Sequence, residues 1–309
     1  MDLHLPFSWV GSTFSARYNR PCHTMVDGVC GFRNWHHDVV RIGLPPFSNT
    51  KYSAEQDSVM TPKPNLSQPT ARLATVDVLK STALLGMIVF HFAYDLELFG
   101  YLAQGTMAQS TWLTFARIVA GSFLFLSGVG LSLAHFPTIR WPDFLRRLKI
   151  ISLAAFVITL STYIAVPDQF IYFGILHVIA VSSLAGLLFL RMNVLLVFLA
   201  AVLVFVLPFF FRTEALNTPI LTWIGLSTQW RPSMDFEPFF PWFAPFLAGI
   251  FSARLARQFG LISAGPPPET MPNSFLKKIR WASRHSLTIY LVHQPILIGV
   301  IWGWSRLAL

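Results

Sequence analysis

The chain has 309 residues, of which 54% are hydrophobic and only 12% charged, with 29 Phe and 10 Trp. A soluble domain carries about 25% charged residues, so the composition excludes an ordinary soluble globule and points to lipid-facing and interfacial surfaces. The formal net charge of +9 calls for no nucleic-acid partner. Its Lys and Arg sit mostly in short loops between apolar runs, where retention of positive charge on the inner side of a membrane explains them.

Residues 1–70 form a separate compositional zone with seven Pro. No apolar run there approaches about 18 residues, so neither a spanning helix nor a secretory signal is expected. The zone reads as a disordered cytoplasmic extension, with Met60 a plausible true start. Its cysteines, Cys22 and Cys30, lie among His23, His36 and His37. That spacing fits no common zinc pattern, so no metal is expected, and no disulfide framework holds the rest together.

From residue 71 to 309 the expectation is an all-α fold, a polytopic transmembrane bundle of about seven spanning helices. The candidates are 72–98, 112–135, 146–166, 172–190, 193–211, 237–254 and 286–305. The loops alternate in charge. Loop 97–111 carries Glu97 and no Lys or Arg, while loop 136–149 carries Arg140, Arg146, Arg147 and Lys149. Loop 165–171 has only Asp168, and loop 255–285 is again basic. This alternation predicts a cytoplasmic amino terminus and an outward carboxy terminus. In the second candidate, Gly121, Ser122, Ser127, Gly128, Gly130 and Ser132 predict close helix packing.

The first candidate carries Asp77, Lys80, His91 and Asp95. At about 100° per residue these fall on one stripe with Leu84 and Ile88, and Leu85, Met87, Val89 and Phe92 form the opposite apolar face. Ionisable groups inside a span are costly and face a bundle interior or a wet cavity. Asp95 follows His91 at i+4, where a carboxylate meets and orients an imidazole acting as general base. Asp77 and Lys80 read either as an ion pair at the inner end or as a charge meeting an anionic ligand. His177 and His293 read either as interhelical hydrogen-bond partners or as site residues. The run at 235–250 is an aromatic entry into a helix, with Asp235, Glu237 and Trp242 as candidates to line an acceptor cleft.

Five blocks carry a family resemblance: RLATVDVLKSTALLGMIVFHFAYDL, FLFLSGVGLSLA, FGILHVIA, DFEPFFPWFAPFLAGI and LTIYLVHQPIL. In these the chain from Arg72 onward resembles the heparan-alpha-glucosaminide N-acetyltransferase catalytic-domain family, in particular its small bacterial members. The resemblance implies a multi-pass acyltransferase of the bacterial inner membrane. Such an enzyme passes an acetyl group from cytoplasmic acetyl-CoA, as co-substrate with no bound cofactor, to an amine or hydroxyl of an envelope saccharide. On that reading His91 and Asp95 are catalytic. Asp77, Lys80 and His293 line the acyl-CoA side, and His177, Asp235 and Trp242 the acceptor side. His91 falls where lysosomal members have Asn, and loop 97–111 lacks the histidine those members carry there. The rival classes are a proton-coupled transporter or export partner using the same stripe, and a non-catalytic scaffold. Acceptor identity and oligomeric state have no sequence signal.

Overall fold

The computed structural model describes residues 74–261 and 274–307. The amino-terminal extension, with its Cys and His cluster and Met60, lies outside the described residues. The fold is all-α: α1 Ala74–Leu98, α2 Ser110–His135, α3 Trp141–Ala165, α4 Ile175–Phe189, α5 Val194–Phe210, α6 Phe239–Gln258, α7 Ser274–Arg284 and α8 Ser286–Leu307. Among the described residues there is no strand, only two isolated bridges, Phe173 with Phe236 and Thr213 with Ser227. Five helices, α1, α2, α3, α6 and α8, are long and apolar enough to cross a membrane, and α4 and α5 are shorter apolar helices. Large apolar side chains cover the outside, among them Leu153, Phe156 and Ile164 of α3 and Leu195, Leu199 and Leu203 of α5. Water would not tolerate an apolar surface this continuous, whereas lipid requires it. The chain is an integral membrane protein.

Two differences from the sequence expectation have local reasons. Helix α3 starts five residues early, at Trp141, because Pro142 fits the first turn, where its missing N–H costs nothing, and Asp143 favours the helix start. The basic loop 255–285 contains α7, too short and too polar to register as a span. On it Lys277, Lys278, Arg280 and Arg284 are exposed and Ser283 is buried. Ser283 Oγ donates to Asp77 Oδ1 at 2.7 Å, and Ser81 Oγ donates to the Ile279 carbonyl at 3.1 Å, so α7 is pinned to the first half of α1.

Helix α6 is the centre of the bundle, burying Phe243, Phe246, Leu247 and Ile250. It lies against α2 through two glycines. A Cβ on Gly128 would strike the Phe246 carbonyl, and one on Gly249 would strike the Phe125 carbonyl. The two backbones therefore touch, the geometry small residues permit within a membrane. At its far end α6 closes off two neighbours. Arg257 donates to the carbonyls of Leu133 (3.1 Å) and Phe136 (2.9 Å) at the end of α2, and Arg254 donates to those of Phe189 and Met192 after α4. Cations at helix carboxy termini satisfy carbonyls that the helix itself cannot.

Candidate active site

The polar stripe of α1 turns inward. Asp77, Leu84 and Asp95 are buried, Lys80, Ile88 and His91 are partly buried, and Leu85, Val89 and Phe92 face outward. Met87, expected on the outer face, is buried instead. It stands three residues after Leu84 and four before His91, which places it on the inner side of the helix.

His91 and Asp95 do not bond to each other, although they sit one turn apart; each reaches across to α8. His91 Nδ1 lies 3.0 Å from the Met87 carbonyl and 3.3 Å from His293 Nε2, and the two rings meet edge to face. His293 Nδ1 lies 2.7 Å from the Tyr290 carbonyl. Carbonyl oxygens only accept, so each Nδ1 carries the proton, an assignment that follows from the partners. His293 Nε2 is then a lone pair that shares the His91 Nδ1–H. His91 Nε2 is a second lone pair, with no hydrogen bond from the protein among the described residues. One turn further, Gln294 Nε2 donates to Asp95 Oδ1 at 2.8 Å. The expected carboxylate–imidazole pair is thus replaced by a histidine–histidine pair and a carboxyl–amide pair, both bridging α1 and α8. His293, expected nearer the Asp77 end, is level with His91, one turn from the Asp95–Gln294 pair.

Near the start of α4 a second polar group forms. Asp235 Oδ2 accepts the Ile175 N–H at 3.1 Å, and its carboxylate fills the space a side chain at Gly174 would need. The Glu237 N–H donates to the Phe173 carbonyl at 3.1 Å, and the Met234 N–H to the Gln169 carbonyl at 2.8 Å, fixing this loop beside α4. Burial lifts the Asp235 carboxyl to about 6 against the pull of the Ile175 N–H. Glu237 is held well above the ordinary carboxylate range, first by burial and then by the Asp235 charge, with Arg117 of α2 acting in the opposite sense. Tyr290, one turn before His293 on α8, lies within the field of both carboxyls. Arg117 and Tyr290 thus stand close enough to the expected Asp235 and Glu237 for their charges to interact.

The other candidates have local partners. His177 Nδ1 accepts the Gly174 N–H at 3.2 Å, leaving Nε2–H to donate to Thr159 Oγ1 at 3.2 Å, and the Thr159 hydroxyl donates to the Ile171 carbonyl at 2.7 Å. This closed chain ties α3 to the start of α4. The ring of Trp242 packs over Gly121 of α2. Asp77 bonds Ser283 of α7, with Lys80 one turn along the same face. A crevice between α2, α3 and α4, lined by Phe144, Arg147 and Ser183 among others, is too tight to hold a water molecule and includes none of the expected site residues.

A family model described as "Heparan-alpha-glucosaminide N-acetyltransferase, catalytic" matches residues 72–295, a stretch that includes His91, Asp95, His293 and Gln294. No curated protein and no solved structure matches the chain.

Proposed function

The chain belongs to the heparan-alpha-glucosaminide N-acetyltransferase catalytic-domain family, and from that premise we propose that it moves an acetyl group from cytoplasmic acetyl-CoA to an amine or hydroxyl of an envelope saccharide. The observation that carries this reading is the unengaged Nε2 lone pair of His91 in a histidine pair held across α1 and α8. His91 Nε2 takes the proton of the acceptor as its nitrogen or oxygen attacks the thioester carbonyl carbon. The carbon–sulfur bond then breaks and the CoA sulfur leaves, taking up the proton held on His91. While the ring is charged, its Nδ1–H strengthens the bond to His293 Nε2, so His293 plays the stabilising part that a carboxylate plays elsewhere.

Seven crossings suit the connectivity. The chain passes from Ser283, beside Asp77, to Gln294, beside Asp95, so α8 runs in the same direction as α1. Two parallel spans require an odd total, which α4 and α5 preserve if both cross. At 15 and 17 residues they reach about 22 and 26 Å, against about 30 Å of hydrocarbon. The loops before α4 and α6 complete the distance, and backbone at that depth is tolerated where it lines a polar cavity. With seven alternating crossings, Arg140, Arg146, Arg147, Lys149, Arg191, Arg254, Arg257 and the α7 cations fall on the side where α1 begins. That face is cytoplasmic by the positive-inside rule and suited to attract CoA phosphates. From Asp77 to His91 the stripe covers about 21 Å, the path we assign to the pantetheine arm. The inner membrane of a bacterium is the compartment this fits.

Acetyl-CoA should raise the melting temperature of the purified protein, and adenosine alone should not, because only a ligand bound to the folded state shifts the unfolding equilibrium. Absence of a shift, together with proton-coupled solute uptake independent of CoA, would move the chain to the transporters.

A further inference from the structure

Asp95 is wholly buried, yet its carboxyl takes one hydrogen bond, from Gln294 Nε2 to Oδ1. Its second oxygen, Oδ2, and the amide oxygen of the same partner, Gln294 Oε1, are both buried and both lack a protein donor among the described residues. Two acceptors of one bonded pair are thus short of a single hydrogen. Around Asp95, α1 presents His91, Tyr94 and Glu97, and α8 presents His293. The carboxylate of Glu97 is occupied by the N–H groups of Gly105 (2.9 Å) and Met107 (2.7 Å). Helix α2, which also packs on α1, brings Arg117, whose charge acts on Glu237. Among the described residues no cation pairs with Asp95. A carboxylate left in such a place would hold an uncompensated charge and empty lone pairs, the least favourable arrangement a buried acid can take.

We infer that Asp95 is held as a neutral carboxylic acid whose Oδ2–H donates to Gln294 Oε1. The two side chains then close a cyclic acid–amide pair that sets α1 against α8 and so fixes the distance between His91 and His293. A carboxyl and a primary amide already joined by one N–H···O bond need only a shared plane to form the second. The added proton satisfies both orphaned oxygens at once and removes the charge. Asp95 is on this account a positioning residue. It acts on the reaction through the His91–His293 contact one turn away. For its activity readout the inference rests on the acetyltransferase reading, but its protonation readout does not.

The test compares the wild-type protein with D95N and D95L in lipid nanodiscs. Asn reproduces the neutral acid, its amide N–H taking the place of the Oδ2–H, so D95N is expected to keep acetyl transfer within about twofold of wild type and to melt no lower. D95L loses both bonds and is expected to lose transfer and melting temperature together. The pH–rate profile of wild type should fall on the alkaline side as the pair ionises, and that fall should be absent in D95N. Infrared spectra at neutral pH should contain a carbonyl band of a protonated carboxylic acid that disappears in D95N. The inference is overturned if that band is missing, as it would be for a carboxylate bridged to Gln294 by water. It is equally overturned if D95N loses transfer while melting like wild type. Should no variant, wild type included, transfer acetyl groups, the acetyltransferase reading fails and the infrared band alone decides the state of Asp95.

Discussion

Replacing His91 with alanine should reduce acetyl transfer by about 10²–10⁴-fold, the usual contribution of a positioned general base, while the protein still folds. The expectation rests on which nitrogen does what. Nδ1 is committed to the Met87 carbonyl and to His293, and Nε2 is the one basic atom of the pair that can accept a proton from an incoming acceptor. The ring is only partly buried and it meets His293 through a long hydrogen bond and a ring edge, so its removal should move the melting temperature little. His293→Phe keeps the ring volume but removes the acceptor for Nδ1–H. Its effect should be smaller, about tenfold, because it withdraws stabilisation of the charged ring and leaves the base itself in place. Transfer measured in membranes with labelled acetyl-CoA checks both. Unchanged turnover in His91→Ala would remove the histidine from the chemistry.

The second large effect concerns the fold. Gly249→Ala and Gly128→Ala each place a methyl group against a main-chain carbonyl of the facing helix, Phe125 in one case and Phe246 in the other. A side-chain end would swing aside; a helix backbone does not. The α2–α6 pair must separate along its length, and α6 carries the core residues Phe243, Phe246, Leu247 and Ile250 with it. Overpacking in a well-packed interior costs typically about 1–3 kcal/mol and sometimes more, and a collision with fixed backbone belongs at the upper end. That is a large fraction of a stability of about 5–15 kcal/mol. Both variants should show a marked fall in melting temperature and yield. Gly121→Ala is the control, since its Cβ would meet only the Trp242 ring at 3.9 Å, an ordinary contact. Equal melting of all three variants would show that α2 and α6 are not in backbone contact.

What the sequence makes legible is what depends on one helix at a time. The apolar runs located α1 to α6 and α8 because hydrophobic length is a local quantity. The 3.6-residue period put Asp77, His91 and Asp95 on the buried face of α1, and the density of small residues marked α2 as a close-packing helix. Relations between helices were not legible. Nothing in the spacing of His91 and Asp95 says that Asp95 meets Gln294 and His91 meets His293, because the register between α1 and α8 is a relation between two helices far apart in the chain, which the period of one helix does not carry. The partner of Gly128 was hidden for the same reason, since Gly249 stands alone in an aromatic run. Glu237 and Asp235 were visible as acidic residues beside α6. Their burial was not, because it depends on the loop folding back onto the start of α4.

The most direct measurement of the central claim, that the α1–α8 seam conducts an acetyl group from one aqueous side to the other, uses sealed inside-out vesicles given labelled acetyl-CoA on the exposed cytoplasmic face. Label should accumulate on saccharide inside the lumen, and should fail to do so with His91→Ala. Lumenal label that is independent of the protein, or label that forms only when the vesicles are made leaky, would contradict it.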